Sequence, residues 1–214
     1  MATRWSRPES AVLIKDDVII YSHPRSGLHL LSLGLYIMGE HFNDKHTYAE
    51  IWGSDKLPSY RHWFELLDPG KADLQFKKHI LLLRDYKVLF GTTNAKGDTS
   101  PTTGLNLDGY AQQIHKFEQL KSPKMVVYYE DLISDNNTFI KVADFLDIKY
   151  DLKKIDFEHL KKYAHDLYLD SGHKPSVKQE VPAPRKLYHV MQFLLKNQQE
   201  HDLFDKYLRR YDNG

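Results

Sequence analysis

The residues of this chain best suited to chemistry form a short run, SHPRSG at 22–27, between an apolar stretch and a segment of helical character. A loop that leaves a buried strand and opens a helix turns several backbone N–H groups toward one point. The helix dipole adds roughly half a positive charge there, so an anion is the natural guest. Pro24 stiffens the turn, Arg25 offers a planar fork of donors, Ser26 a hydroxyl, and Gly27 a close backbone approach. That set suits phosphate or sulfate. It is not the GxxxxGK[ST] loop of ATP and GTP enzymes, because the first glycine and the Lys-Ser or Lys-Thr pair are missing. Read alone, PRSG is equally a turn ahead of a core helix.

Composition narrows the remaining chemistry. The chain has no cysteine, which removes disulfides, thiolate nucleophiles and cysteine-ligated metals, and its twelve histidines are the natural source of a general base near neutral pH. The 30 basic and 29 acidic side chains nearly cancel, so no bulk field draws the protein to nucleic acid or to an anionic membrane. No apolar run reaches the ~18 residues of a membrane span, and the first twenty residues lack the apolar core of a signal peptide. The expectation is a soluble cytoplasmic protein with a local anion site.

The elements that must position this site are legible as periodicity. Residues 17–21 (DVIIY) form a β-branched apolar run, followed by the loop and then by LHLLSLGLYIM, too densely apolar for a surface helix. The pattern recurs at 79–83 (HILLL) and at 125–129 (MVVYY), the latter followed by a helical stretch with Ile133, Phe139, Ile140, Val142, Phe145 and Leu146 largely on one face. Strands alternating with helices predict parallel pairing with right-handed crossovers. A further helix is expected over 108–120, and helical structure over 182–214, where Leu187, Val190, Met191, Leu194 and Leu195 fall at helical spacing. Loops are expected at 43–60, 94–107 and 170–185. At this length the chain fits one domain, residues 1–214. The fold class expected is a three-layer α/β/α sandwich of the P-loop nucleotide-hydrolase type, with a mainly parallel sheet and the site at the C-terminal strand ends.

Three blocks in this order resemble the sulfotransferase family. YSHPRSGLHLL resembles its 5′-phosphosulfate loop, LLLRDYKVLF its second block, and VVYYEDLISDNNTFIKVADFLDI its third, a strand, YEDL and a helix ending in FLG or FLD; together they lie within residues 18–148. The resemblance implies an enzyme that moves a sulfuryl group from 3′-phosphoadenosine 5′-phosphosulfate (PAPS) to an acceptor hydroxyl without a metal, leaving 3′-phosphoadenosine 5′-phosphate (PAP). It assigns the 5′-phosphate and the bridging oxygen to Arg25, with Ser26, Gly27, Leu28 and His29 completing the loop. The 3′-phosphate falls to Arg84 and Thr92, and the adenine to Tyr129. Tyr128 is expected to face the core. The base falls to His62 in SYRHWFELL, at the matching place between blocks one and two, with His41, His46, His79, Glu50 and Glu65 as competitors.

The chain departs from the family in two places. The usual TTW after the loop glycine is Leu28, His29 and Leu30, which leaves backbone N–H groups to hold the anion and His29 as a substitute donor or as an aid to the leaving group. The C-terminal RKGxxGxW segment has no clear match; the nearest basic loop, SGHKPSVKQEVPAPRK, offers Lys174, Lys178 and Arg185. Trp52, Tyr60, Trp63 and Phe64 around His62 suit a carbohydrate or a small hydroxylated metabolite as acceptor, and a packed core equally well. Arg84 paired with Asp85, and Glu130 and Asp131 favouring a helix start, are the plain structural readings of those residues. Two other classes stay open: a sulfotransferase-fold binding protein without turnover, and a phosphotransferase of another P-loop type.

Overall fold

The computed structural model describes residues 17–23, 26–40, 51, 57–62, 68–85, 92–93, 107–170, 177–178 and 198–211. Its centre is a four-stranded sheet of β1 (Val18–Ser22), β2 (Ser59–His62), β3 (Lys78–Leu83) and β5 (Lys124–Tyr128), in the order β2-β1-β3-β5. Every pairing is parallel, with Ile19 opposite Ser59 and His79, and Ile80 opposite Met125. A separate two-stranded antiparallel sheet joins β4 (Thr92–Thr93) to β6 (Val177–Lys178). The helices are α1 (Leu28–Glu40), α2 (Pro69–Gln75), α3 (Leu107–Glu118), α4 (Tyr129–Ser134), α5 (Asn137–Phe145), α6 (Phe157–Asp170) and α7 (Gln198–Leu208), with a 3-10 turn at Arg209–Tyr211.

Alternate residues of the strands face opposite ways, and each set has its own core. Ile19, Tyr21, Leu81 and Leu83 pack with Ala72 and Phe76 around α2, with Ile114 and Phe117 of α3, and with Tyr207, Leu208 and Tyr211. Val18, Ile20, Ile80, Leu82 and Val127 pack instead against Leu31, Leu35 and Met38 of α1, Phe139 and Val142 of α5, and Leu160 of α6. Helices therefore cover both faces, which is why β1 and β3 read as continuous apolar runs instead of alternating ones. The α1 helix is buried over residues 31–38 because its far side carries Leu33 and Tyr36 against Ala164 and Leu167 of α6. Each such side chain removed from water stabilises the fold by about 1.5–3 kcal/mol. Gly34 permits the tightest contact in that layer: a Cβ there would lie 2.4 Å from the Phe139 ring.

Local chemistry sets several boundaries. Asp68 caps α2 by accepting the N–H groups of Gly70 (3.0 Å) and Lys71 (3.3 Å) ahead of Pro69 in the first turn. Asp156 does the same for α6 through Glu158 and His159. Asp147 ends the α5 segment at φ 57°, with the Ile148 N–H returning to the Ala143 carbonyl at 2.9 Å, the left-handed cap that explains why glycine suits this position in FLG. Its carboxylate meets the Lys78 ammonium.

The structure also corrects the sequence reading. Ser59 and Tyr60, expected in a loop, begin strand β2; they were missed because SYRH lacks an apolar run. The α2 and α6 helices had no counterpart in the expectations, although Asp68-Pro69 and Asp156 are their start signals. Tyr129, expected to end a strand, is the first residue of α4. Val177 and Lys178 are a strand inside the expected 170–185 loop. Leu187, Val190, Met191, Leu194 and Leu195 lie outside the described residues, beyond which α7 is helical. No helix among the described residues is long and apolar enough to cross a membrane.

Candidate functional site at the C-terminal edge of the sheet

The strand order reverses at β1: the chain goes from β1 to β2 on one side, then returns past β1 to β3 on the other. In open parallel sheets such a switch point opens a crevice at the C-terminal strand ends, and the described residues His23, Ser26 and Gly27 follow β1 at that end. The Ser26 N–H bonds the His23 carbonyl at 3.1 Å, and the Leu31 N–H bonds the Gly27 carbonyl at 3.1 Å. The N–H groups of Leu28, His29 and Leu30 therefore precede the first intrahelical bond of α1, whose first turn carries no acidic residue. The Ser22 and Ser26 hydroxyls are fully buried, and neither has a hydrogen-bond partner among the described residues. A buried hydroxyl left so costs about 1–3 kcal/mol, which an acceptor such as phosphate would recover.

Gly27 and Arg84 meet on Tyr129. Gly27 has φ 92°, and a Cβ added to it would fall 2.3 Å from Cδ2 of the Tyr129 ring. Arg84, the first residue after β3, places its Cζ over the same ring, 4.2 Å from the centroid. The tyrosine ring thus joins the loop after β1 to the arginine after β3. Arg84 stacks on an aromatic face, a contact that a planar guanidinium makes well.

The next two residues of α4 bind backward. Glu130 accepts the Asp85 N–H through Oε1 (3.0 Å) and the Tyr211 hydroxyl through Oε2 (2.8 Å). Asp131 takes a bidentate pair from Arg210, at 3.0 and 2.6 Å, which holds its carboxyl below the usual carboxylate range. Arg210 also lies over the Tyr128 ring at 4.1 Å, and Tyr128 donates its hydroxyl to the Tyr207 carbonyl at 3.0 Å. Tyr128 belongs with the core of that face, as its alternation with Tyr129 predicts. Sequence reasoning missed this tether because its partners lie about eighty residues apart and share no pattern.

The other expected residues divide as follows. His62 ends β2 in register with Ser22, and Ser22 is also in register with Leu82, so the His62 and Leu82 backbones flank β1 about 10 Å apart by inter-strand spacing, with Arg84 two residues further along the same edge. Thr92 and Lys178, both expected at the 3′-phosphate, are direct cross-strand partners in the small sheet. Leu28 sends its side chain into the core, leaving only its backbone for the loop, and the His29 ring packs edge-on against Tyr168 of α6 at 4.9 Å. His79 sits at the opposite end of the sheet, buried and stacked on Tyr21, and burial pushes its pKa down. Arg25, Lys174, Arg185, His41, His46, Glu50, Glu65, Trp52, Trp63 and Phe64 lie outside the described residues, and the placement described for His62 is that of its backbone.

No protein-family model matches this chain, and no curated protein matches it at a significant level.

Proposed function

We propose that this chain is a cytoplasmic sulfotransferase of P-loop-like fold that moves the sulfuryl group of PAPS to a hydroxyl of a carbohydrate or small hydroxylated metabolite. The observation that carries the reading is the meeting of Gly27 and Arg84 on Tyr129. Three residues that the family motifs assign to one nucleotide come from three separate blocks and touch at one strand edge. The two buried serine hydroxyls and the open turn of α1 fit a phosphate at the loop. Thr92 and Lys178, the candidates for the 3′-phosphate, are backbone partners in the small sheet.

In this reading His62 takes the proton of the acceptor hydroxyl as that oxygen forms its bond to sulfur. The bond from sulfur to the bridging oxygen breaks, and its electron pair leaves with the 5′-phosphate of PAP. Arg25 and the N–H groups of the loop stabilise the charge that develops there. Such a step needs in-line positioning and charge stabilisation more than covalent help from the protein. No nucleic acid takes part.

A nucleotide-binding protein without turnover is the second reading. The observation in its favour is that Leu28 is buried in the core and His29 is engaged with Tyr168, where the family has two hydroxyls. The deciding experiment is a metal-free calorimetric titration with PAP, with ATP and adenosine 5′-phosphate as controls, followed by an acceptor screen. Binding that requires the 3′-phosphate and weakens about tenfold or more in Arg25→Ala and Arg84→Ala supports the donor site. Transfer lost in His62→Ala supports the enzyme, and binding without transfer to any acceptor supports the second reading. Preference for magnesium–ATP overturns both and favours a phosphotransferase.

A further inference from the structure

The residue after Arg84 is not held by its own strand. Its N–H is taken by Glu130, and Glu130 is held in turn by Tyr211 from the turn that follows α7. Three segments distant in sequence thus form one chain of contacts: Tyr211 hydroxyl, Glu130 carboxylate, Asp85 N–H, and the Arg84 guanidinium lying on Tyr129. The Arg210 pair with Asp131 locks the same turn one residue along, so the approach of Tyr211 to Glu130 is fixed at two points. A carboxylate that accepts two donors with its two oxygens orients both, and an arginine whose following peptide is pinned keeps fewer ways to point away from its ligand.

We infer that Glu130 and Tyr211 are positioning residues for Arg84, so that the turn at residues 209–211 is part of the nucleotide site although it touches no nucleotide. The inference rests on the donor reading for what Arg84 binds, and on the contacts alone for the tether itself. Glu130 and Tyr211 therefore govern discrimination for the 3′-phosphate and leave the rest of the nucleotide untouched.

The test compares wild type with Glu130→Ala, Tyr211→Phe and Glu130→Gln by calorimetry, using PAP and adenosine 5′-phosphate. Lys206→Ala, which removes one contact of α7 with Glu118 on its other side, is the control for general loosening. The affinity ratio of PAP to adenosine 5′-phosphate falls about tenfold in Glu130→Ala and about threefold in Tyr211→Phe, about the worth of a hydrogen bond. It stays near the wild-type value in Glu130→Gln, whose amide oxygen still accepts the Asp85 N–H, and in Lys206→Ala. Amide hydrogen exchange at Asp85 is read in parallel: it is slow in wild type and Glu130→Gln, and faster in Glu130→Ala. Exchange equally slow in Glu130→Ala overturns the tether. Fast exchange with an unchanged ratio, or equal weakening toward both nucleotides, overturns the positioning role. A wild type that does not distinguish the two nucleotides overturns the donor reading itself, and the exchange result then still decides the tether.

Discussion

The two ends of the central sheet differ in how their polar groups are met. At the N-terminal end Lys77 meets Asp17, Lys78 meets Asp147, and Asp73 accepts the N–H groups of Lys121 and Ser122, each at 2.9 Å, beside the His79 ring. At the C-terminal end two buried hydroxyls have no partner among the described residues, a glycine at positive φ stands against an aromatic ring, and an arginine lies on that ring. The first end pairs its surface charges with one another, although the buried His79 Nε2, 3.5 Å from an Asp73 oxygen, has no hydrogen-bond partner among the described residues. At the second, the Ser22 and Ser26 hydroxyls are unmet among the described residues, which supports reading this end as the candidate site.

That contrast can be broken from either side. The largest effect is expected at Gly27→Ala, where the new Cβ meets the Tyr129 ring and the backbone keeps a positive φ. PAP affinity falls about a hundredfold in calorimetry while stability drops by about 1–3 kcal/mol. Affinity within threefold of wild type would mean that the Gly27–Tyr129 contact is packing alone. Next comes Asp73→Ala at the other end, which strands two backbone N–H groups and costs about 1–3 kcal/mol in urea unfolding. Nucleotide affinity should stay within twofold; a larger loss would erase the functional distinction between the two ends.

The smallest effect concerns the tether and sharpens the comparison through pH. Arg210 lowers the Asp131 pKa in the folded state, so its contribution to stability is present above the unfolded value, about 3.9, and is lost as pH falls through the lower folded one. Both partners are more than a third exposed, so solvent screening limits the pair to about 1 kcal/mol or less. Asp131→Asn should melt about 2–4 °C below wild type near neutral pH, with the gap persisting at about pH 5 and closing below about pH 4. A gap independent of pH would show that the variant acts through something other than this charge.

Much of the scaffold was legible because burial writes itself as composition. DVIIY, HILLL and MVVYY each lie between two helical layers, and the density of LHLLSLGLYIM matches a helix enclosed by the sheet and α6. SYRH did not show as a strand because it lies at the sheet's edge and carries its pairing in the backbone, and PGKADLQ is too short for periodicity to speak. At the site, Gly27, Arg84 and Tyr129 were legible through motifs, since each follows a strand at the same edge. The roles of Glu130 and Asp131 were not: local reasoning sees a helix start, and only the folded chain brings Tyr211 and Arg210 to them.

The place of β1 has a consequence for how the protein is made. It is one of the two interior strands of the four-stranded sheet, its five residues are all buried, and it leaves the ribosome before either neighbour. Lys77, whose ammonium meets Asp17 at the foot of β3, follows 60 residues later. At about 5–20 residues per second that is a wait of roughly 3–12 s before this fully buried strand can be paired on both sides, β2 coming first and β3 after it. The strand that leads toward Gly27 is thus one that a nascent chain needs to have shielded.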